Sequence, residues 1–408
     1  MASKRQLYQL IAGQLEADGF LSAAVHLAEA TKTPMYSGIG PQLSELALKG
    51  ASIEGTNTLL PFSAPSATIP NIPPTLAPAH TLELSKGSIH FKPTYKCQVE
   101  GAVTVLKFDD DGGWLAVGTT KTLSLWSVGS AANGADPVVF SIESTDPVTS
   151  LAFHPFVAVL VVGRGSGAIQ MIDVAAQKQV GSTFQMESRV NSIAWHFRGD
   201  HILATVEDST AVRVIDVVAG TSTTLRASTI ENPIAVVAAH KDYIALGDRA
   251  GGLTIVDSVD MTTVAEVKED SAITGLAFSQ SGSSLVMTTY AENAAGAGVG
   301  SIATWDTRLL RSDPIKTVIR QGEDLSMIPA TFTADDLVLW GQAGSSEAKL
   351  CLSTAEGGKI QECSVPQEAE HVSVTGTSPV DPYVALGGDG WVVVCDAVDA
   401  ISQGDKDA

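Results

Sequence analysis

The sequence predicts an all-β ring of seven four-stranded sheets, preceded by a small all-α block. Three observations predict it. A short apolar strand pattern returns from Val103 onward at intervals of 45, 42, 44, 39, 54 and 45 residues. Each return is followed by a turn, a second apolar strand, and in most units a third strand ending in or near an acid. The first fifty residues show helical spacing instead and carry none of the repeat. A single unit of this size exposes both sheet faces. Stacking units around a ring buries the faces, and joining the last to the first removes the open end.

Residues 1–50 read as three short helices. Ser3 and Gln6 form a capping box, and Leu7, Leu10, Ile11, Gln14 and Leu15 then follow i, i+3, i+4 spacing up to Gly19. Ser22 caps a second helix through Val25, Leu27 and Ala28, stopped before Pro34. Gly40 and Pro41 open a third, with Leu43, Leu46 and Ala47 inward and Gly50 at its end. Helices this short bury too little surface to stand alone. Either a second copy or the chain's own ring must cover them. The lack of disulfides or metal ligands in the block favours a homodimer, with Leu7, Tyr8, Leu10, Ile11, Leu15, Phe20, Ala24 and Leu27 as its contacts.

Residues 51–87 hold Pro61, Pro65, Pro70, Pro73, Pro74 and Pro78. Proline fixes φ and removes a donor, so this stretch reads as an extended, partly polyproline-II linker, free or laid along the ring.

Residues 88–400 are the expected propeller, and 401–408 a C-terminal tail. The first strands are 103–108 (VTVLKF), 148–153 (VTSLAF), 190–195 (VNSIAW), 234–239 (IAVVAA), 273–278 (ITGLAF), 327–332 (MIPATF) and 372–377 (VSVTGT). Second strands follow at 114–118, 157–163, 201–206, 243–247, 284–289, 336–341 and 383–387. Third strands fall at 123–126, 169–173, 212–216, 253–257, 302–306, 349–352 and 392–396, the sixth lacking its acid. Residues 88–96 (SIHFKPTYK) are expected to supply the outer strand of the last blade. Residues 292–300 (ENAAGAGVG) read as an extended loop. The period is that of a WD-type blade, ~40–45 residues. The signature is worn: Trp305-Asp306 is the one true WD pair, and no unit has Gly-His before its first strand. Apolar packing must therefore carry the stability.

Charge is unevenly placed. Residues 1–50 are neutral and 51–96 carry +1, so the net −20 leaves −21 on 97–408. A body that acidic repels a phosphate backbone, so little direct nucleic-acid binding is expected. No run approaches the ~20 apolar residues of a membrane helix, and no secretory signal is visible. Cys97, Cys351, Cys363 and Cys395 show no CxxC spacing, which fits a reducing compartment and buried strand positions.

Catalytic and cofactor motifs are absent, and no cofactor or metal is expected. Gly163, Arg164, Gly165, Ser166 and Gly167 look like a phosphate loop but precede a strand, so they read as a hairpin turn. The eight histidines do not cluster, and His196 and His201 stand five apart around a turn, a poor metal geometry. Asp109, Asp110 and Asp111 read as a solvated turn. Function is therefore expected on a surface. The loops into each first strand and the turns between second and third strands share one rim of a propeller. Arg164, Arg189, Arg249 and Trp391 are the partner-binding candidates there, since Arg and Trp are common anchors.

The wording Arg5, Gln6, Leu7, Tyr8, Leu10, Ile11, Gln14, Leu15, Asp18, Gly19, Phe20, Ser22, Ala24 and Leu27 resembles the N-terminal homodimerisation domain of the WD-repeat subunit of cleavage stimulation factor. The order of helical block, linker and propeller is similar too. The resemblance implies a non-catalytic dimeric scaffold in nuclear pre-mRNA cleavage and polyadenylation. It implies a propeller that contacts the HAT-repeat subunit of the same complex, with the RNA polymerase II C-terminal tail and a ubiquitin-ligase partner as further contacts. RNA recognition would belong chiefly to another subunit with an RRM. The block is also similar to a LisH dimerisation motif, and 305–308 (WDTR) matches the WDxR box of cullin-type ligase receptors. The alternative is thus a LisH/WD-type adaptor or substrate receptor.

Overall fold

A computed structural model of the chain describes residues 89–132, 136–225, 231–292, 298–311, 315–322, 328–342, 349–358, 361–363 and 372–399. The chain divides into two units, Met1–Pro74 and Thr75–Ala408, and every described residue belongs to the second. The helical block with its eight dimerisation candidates, the linker and the tail lie outside the described residues.

The described strands form five four-stranded antiparallel sheets and one of seven strands. The seven-stranded sheet is two blades sharing one long strand, Ile89–Phe108. Its second half opens blade one and pairs with Trp114–Thr119. Thr122–Ser127 and Val138–Glu143 complete that blade. The first half of the long strand pairs with Asp389–Asp399, the third strand of blade seven, from Ile89↔Asp399 to Gln98↔Trp391. The expected closing strand is therefore present, and it runs on without a break into blade one. Gly101, at φ +81°, and a register shift between Gln98 and Ala102 mark the switch from one blade to the other.

The seal is apolar. Ile89 and Phe91 are buried with Leu386, Val393 and Cys395 of blade seven and Leu339, Leu350 and Leu352 of blade six. Each of the seven hydrophobic clusters among the described residues is centred on two neighbouring blades. Leu123 and Leu125 of blade one meet Leu151, Leu160 and Ile172 of blade two. Val103, Leu106 and Trp126 of blade one meet Ala385, Val392 and Val394 of blade seven. The core is thus cut into wedges between blades, and alternation along each strand serves both faces.

In blades one, two, four and seven a glycine near the end of the second strand sets the spacing to the next blade. A Cβ on Gly118 would stand 2.5 Å from Val148 Cγ1, on Gly163 2.8 Å from Val190 Cγ1, on Gly247 2.5 Å from Ile273 Cγ2, and on Gly387 2.8 Å from Val103 Cγ1. In every case the intruding residue is a β-branched side chain of the next blade's first strand. The last contact is the ring closing by the same rule. Side-chain hydrogen bonds supplement it. Thr104 Oγ1 donates to Val148 O (2.6 Å), Ser150 Oγ accepts from Ile193 N (2.9 Å) and Thr377 Oγ1 donates to Phe332 O (2.7 Å). These bonds align the first strands side by side around the channel.

Two expectations are corrected in part. Residues 292–300 are not all loop: the strands Ser284–Glu292 and Gly298–Asp306 pair as far as Glu292↔Gly298. Gly300 packs there because a Cβ would collide with Thr289 O. Of the three acids of the turn 109–111, Asp110 and Asp111 are exposed and Asp109 is partly buried. The Asp109 carboxylate accepts from Trp114 N (2.9 Å), and burial pushes its pKa up. The worn signature shows at Trp305, which is buried with no partner for its indole N–H among the described residues.

Candidate partner-docking face

All first strands run the same way around the channel, so each blade presents two kinds of turn. Turns between second and third strands share one rim with the loops that enter first strands. Hydrogen bonds tie them together: Gly165 N donates to Pro147 O (2.9 Å), Glu207 N to Arg189 O (2.8 Å) and Arg249 N to Pro233 O (3.1 Å). The run 163–167 is the hairpin turn its following strand requires, held by Ser166 N to Asp146 Oδ1 at 2.9 Å.

The four candidates of that rim differ in what they offer. Arg164 is buried; its Nη1 donates to Asp146 O (2.9 Å) and its Nε to Gln170 Oε1 (3.3 Å), beside a cavity of about 350 Å³. Its guanidinium is engaged in holding the loop before blade two. Arg189 is exposed and forms no ion pair among the described residues. Arg249 is half-exposed and faces Glu207 (3.6 Å) and Asp208 (3.4 Å). Trp391 is partly buried against the cluster under blade seven, its indole packed where a Cβ on Gly388 would fall.

The opposite rim carries the apolar surface. Of eight large hydrophobic side chains exposed among the described residues, six lie in its turns: Phe156, Val157, Val218, Val259, Ile315 and Val380. Only Val139 and Val318 sit elsewhere, on outer strands. Phe156 is 70% exposed and Val218 81%. Single exposed hydrophobics are ordinary; what separates the two rims is that six of the eight share this one. Five of the six stand in turns outside the strand pattern; Val157 was expected to open the second strand 157–163, but that strand begins at Val159 and leaves Val157 in the turn.

This rim surrounds the mouth of the channel, a cavity of about 530 Å³ walled by Phe108, Phe153, Trp195, Phe278 and Phe332. Lys107 and Asp110 also line it. The lining mixes these aromatic rings with polar side chains, His240, Lys241, Gln280 and Thr333 among them. Burial pushes the Cys363 thiol up to about 12, so it is no nucleophile at neutral pH.

His154 locks this rim together. Its Nδ1 accepts from Phe156 N (3.0 Å) and Val157 N (3.2 Å), and its Nε2 stands 3.0 Å from Gly199 O in blade three. That pattern needs neutral imidazole with the proton on Nε2. Burial lowers its pKa below the ordinary 6.5, although the Gly199 bond and Asp110 oppose the shift. Burial lowers His240 in the same way. A depressed histidine binds fewer protons folded than unfolded. Its contribution is therefore full above pH ~7 and is lost as pH falls through 6.5 to the folded pKa. Urea midpoints should fall between pH 7.5 and 5.5, and His154→Asn, whose Oδ1 keeps the acceptor, should flatten part of that fall. An equally steep fall in the variant assigns the effect elsewhere.

The expectation that the histidines stay apart is overturned in blade three. The hairpin 196–201 closes through His196 N to His201 O (2.9 Å), and the two rings come within 6.0 Å, with Asp200 between them. Hairpin pairing converts a separation of five residues into adjacency.

Residues 91–127 match the family described as WD domain, G-beta repeat. That stretch is the closing strand with the first three strands of blade one. No curated protein matches the chain in sequence. Among solved structures, the Cps50 (Swd1) β-propeller domain of Myceliophteria thermophila is similar with a TM-score of 0.62 at 16% identity, covering 76% of this chain and 100% of that one. At that identity the likeness concerns the fold. The described residues form an all-β, propeller-like fold, and one stretch of it matches a WD repeat; the fold by itself does not fix a function.

Proposed function

We propose that this protein is a dimeric, non-catalytic scaffold subunit of the nuclear pre-mRNA cleavage and polyadenylation machinery. The observation that supports a scaffold is the collection of exposed apolar turns on one rim, around an aromatic channel mouth. The wording of residues 5–27 supports the particular machinery, and with it a HAT-repeat subunit as the partner. Dimerisation rests on the helical block.

Affinity purification of the full chain with mass spectrometry tests the assignment. Polyadenylation factors are the expected recovery; a cullin adaptor without them sinks it. In that second outcome 305–308 becomes the site of interest, although Arg308 is held by Asp306 (Nε to Oδ1 2.9 Å, Nη2 to Oδ2 2.6 Å). Phe156→Asp with Val218→Asp should abolish partner recovery. Each should change stability by only about 0.5 kcal/mol, as for surface sites. Arg189→Glu and Arg249→Glu, on the other rim, should leave recovery intact. The reverse pattern moves the docking face. Light scattering should give a dimer for the wild type and a monomer for Leu10→Asp with Leu15→Asp.

A further inference from the structure

We propose that His196, Asp200 and His201 bind one divalent transition-metal ion of the zinc class at the turn between the first two strands of blade three. Their ligand atoms all lie within 4.8 Å of one another. His196 Nδ1 is 3.3 Å from Asp200 Oδ1, and His201 Nδ1 is 2.8 Å from the same oxygen. Tetrahedral ligands at bonds of ~2.0–2.1 Å stand about 3.3 Å apart. The cluster is near that spacing before any metal enters.

The hydrogen bonding of His196 is the second observation. Its ring is buried, and Nε2 lies 2.8 Å from Ser258 O. Against a carbonyl, Nε2 must be the donor, so neutral imidazole leaves its lone pair on Nδ1. That lone pair faces a carboxylate oxygen, another acceptor. The Arg198 amide approaches Nδ1 at 3.4 Å, the long end of a bond, and does not separate the two acceptors. A cation between them resolves the conflict. The pattern is that of a metal-bound histidine, whose second ring nitrogen donates to a backbone carbonyl and fixes the ring.

The surroundings fit the same ion. His201 has its other nitrogen 3.9 Å from Asp216 Oδ2, within reach of a small side-chain adjustment. Asp216 Oδ1 is engaged with Val218 N (2.9 Å) and Ala219 N (2.7 Å), which holds that carboxylate in place. Two imidazoles and a carboxylate suit zinc, and copper or nickel more tightly still, whereas magnesium and calcium prefer oxygen alone. Asp200 and His201 are partly exposed, so a fourth position opens to solvent. Through Ser258 the ion would fasten the turn of blade three to a turn of blade four.

Metal-free full-length protein titrated with Zn2+ by calorimetry, and with Co2+ by visible absorption, is the test. The expected result is one ion per chain with tetrahedral Co2+ bands. His201→Gln and Asp200→Asn should each weaken binding by at least about tenfold, while leaving metal-free unfolding midpoints near wild type. Because both side chains are partly exposed, these variants should fold. No saturable binding, equal binding by wild type and both variants, or Co2+–thiolate charge-transfer bands would each overturn the site; the first would mean that a proton alone separates the two acceptors.

Discussion

Phe91→Ala should destabilise the ring by about 3–5 kcal/mol, the cost of truncating a buried aromatic. The effect should exceed that of any change in an outer strand. Phe91 is 3% exposed in the wedge between blades six and seven, and it is one of two large anchors on the closing half of the long strand. Ile89, at 0%, is the other. The strand they hold pairs with Asp389–Asp399 along ten register positions. If it detaches, the ring opens at that seam and blade seven presents an unpaired edge. Chemical denaturation of Phe91→Ala, Ile89→Ala and Val139→Ala compares anchor and outer strand directly. Val139 lies on an outer strand and is 39% exposed, so its truncation should stay within about 0.5 kcal/mol. Equal midpoints for Phe91→Ala and Val139→Ala would show that the seam is not where stability resides.

Gly118→Val should be the second large loss, at the top of the 1–3 kcal/mol that overpacking typically costs or about 3 kcal/mol. The new Cβ would stand 2.5 Å from Val148 Cγ1, 2.7 Å from Val105 Cγ1 and 2.9 Å from Val148 Cβ. None of these atoms is the loose end of a long side chain, so blades one and two must move apart. Val148→Ala removes part of the obstruction. The double variant should therefore recover stability relative to Gly118→Val, a coupling of opposite sign to two independent losses. Strict additivity in the denaturant midpoints would mean that the glycine serves its own strand and not the spacing of blades.

Much of the fold was legible because each blade is a local object. The first strands 148–153, 190–195, 234–239 and 273–278 coincide with Val148–Phe153, Val190–Trp195, Ile234–Ala239 and Ile273–Phe278. Alternation and turn residues define them without knowledge of their neighbours. The closing strand was legible for another reason: a β-rich segment lay ahead of the repeat, and a ring needs a partner for its last edge. In blade six the short strand Thr331–Phe332 replaces most of the longer expected pattern, in a unit with a proline at position 329. The hairpin of blade five extends further than its glycines suggested, because pairing continues to Glu292↔Gly298.

The candidate site was less legible. Arg164 carried the right chemistry in the right loop, but whether a guanidinium faces solvent or the loop beside it depends on Asp146 and Gln170, which sit 18 residues before it and six after. Phe156 and Val218 carry no periodic signal, and they share a rim only once blades two and three stand next to each other. His196 and His201 stand five residues apart, and the hairpin pairing makes them opposite neighbours.

By itself the sequence determined the repeating strand, its period, the order of strands within a blade and the absence of catalytic motifs. These follow from burial and backbone pairing within about 45 residues of chain. The tertiary structure alone decided which rim is apolar, which arginine is engaged, and that two histidines and an aspartate converge. Those outcomes depend on contacts between blades and across turns, where side chains from separate parts of the chain compete for the same space and the same hydrogen bonds.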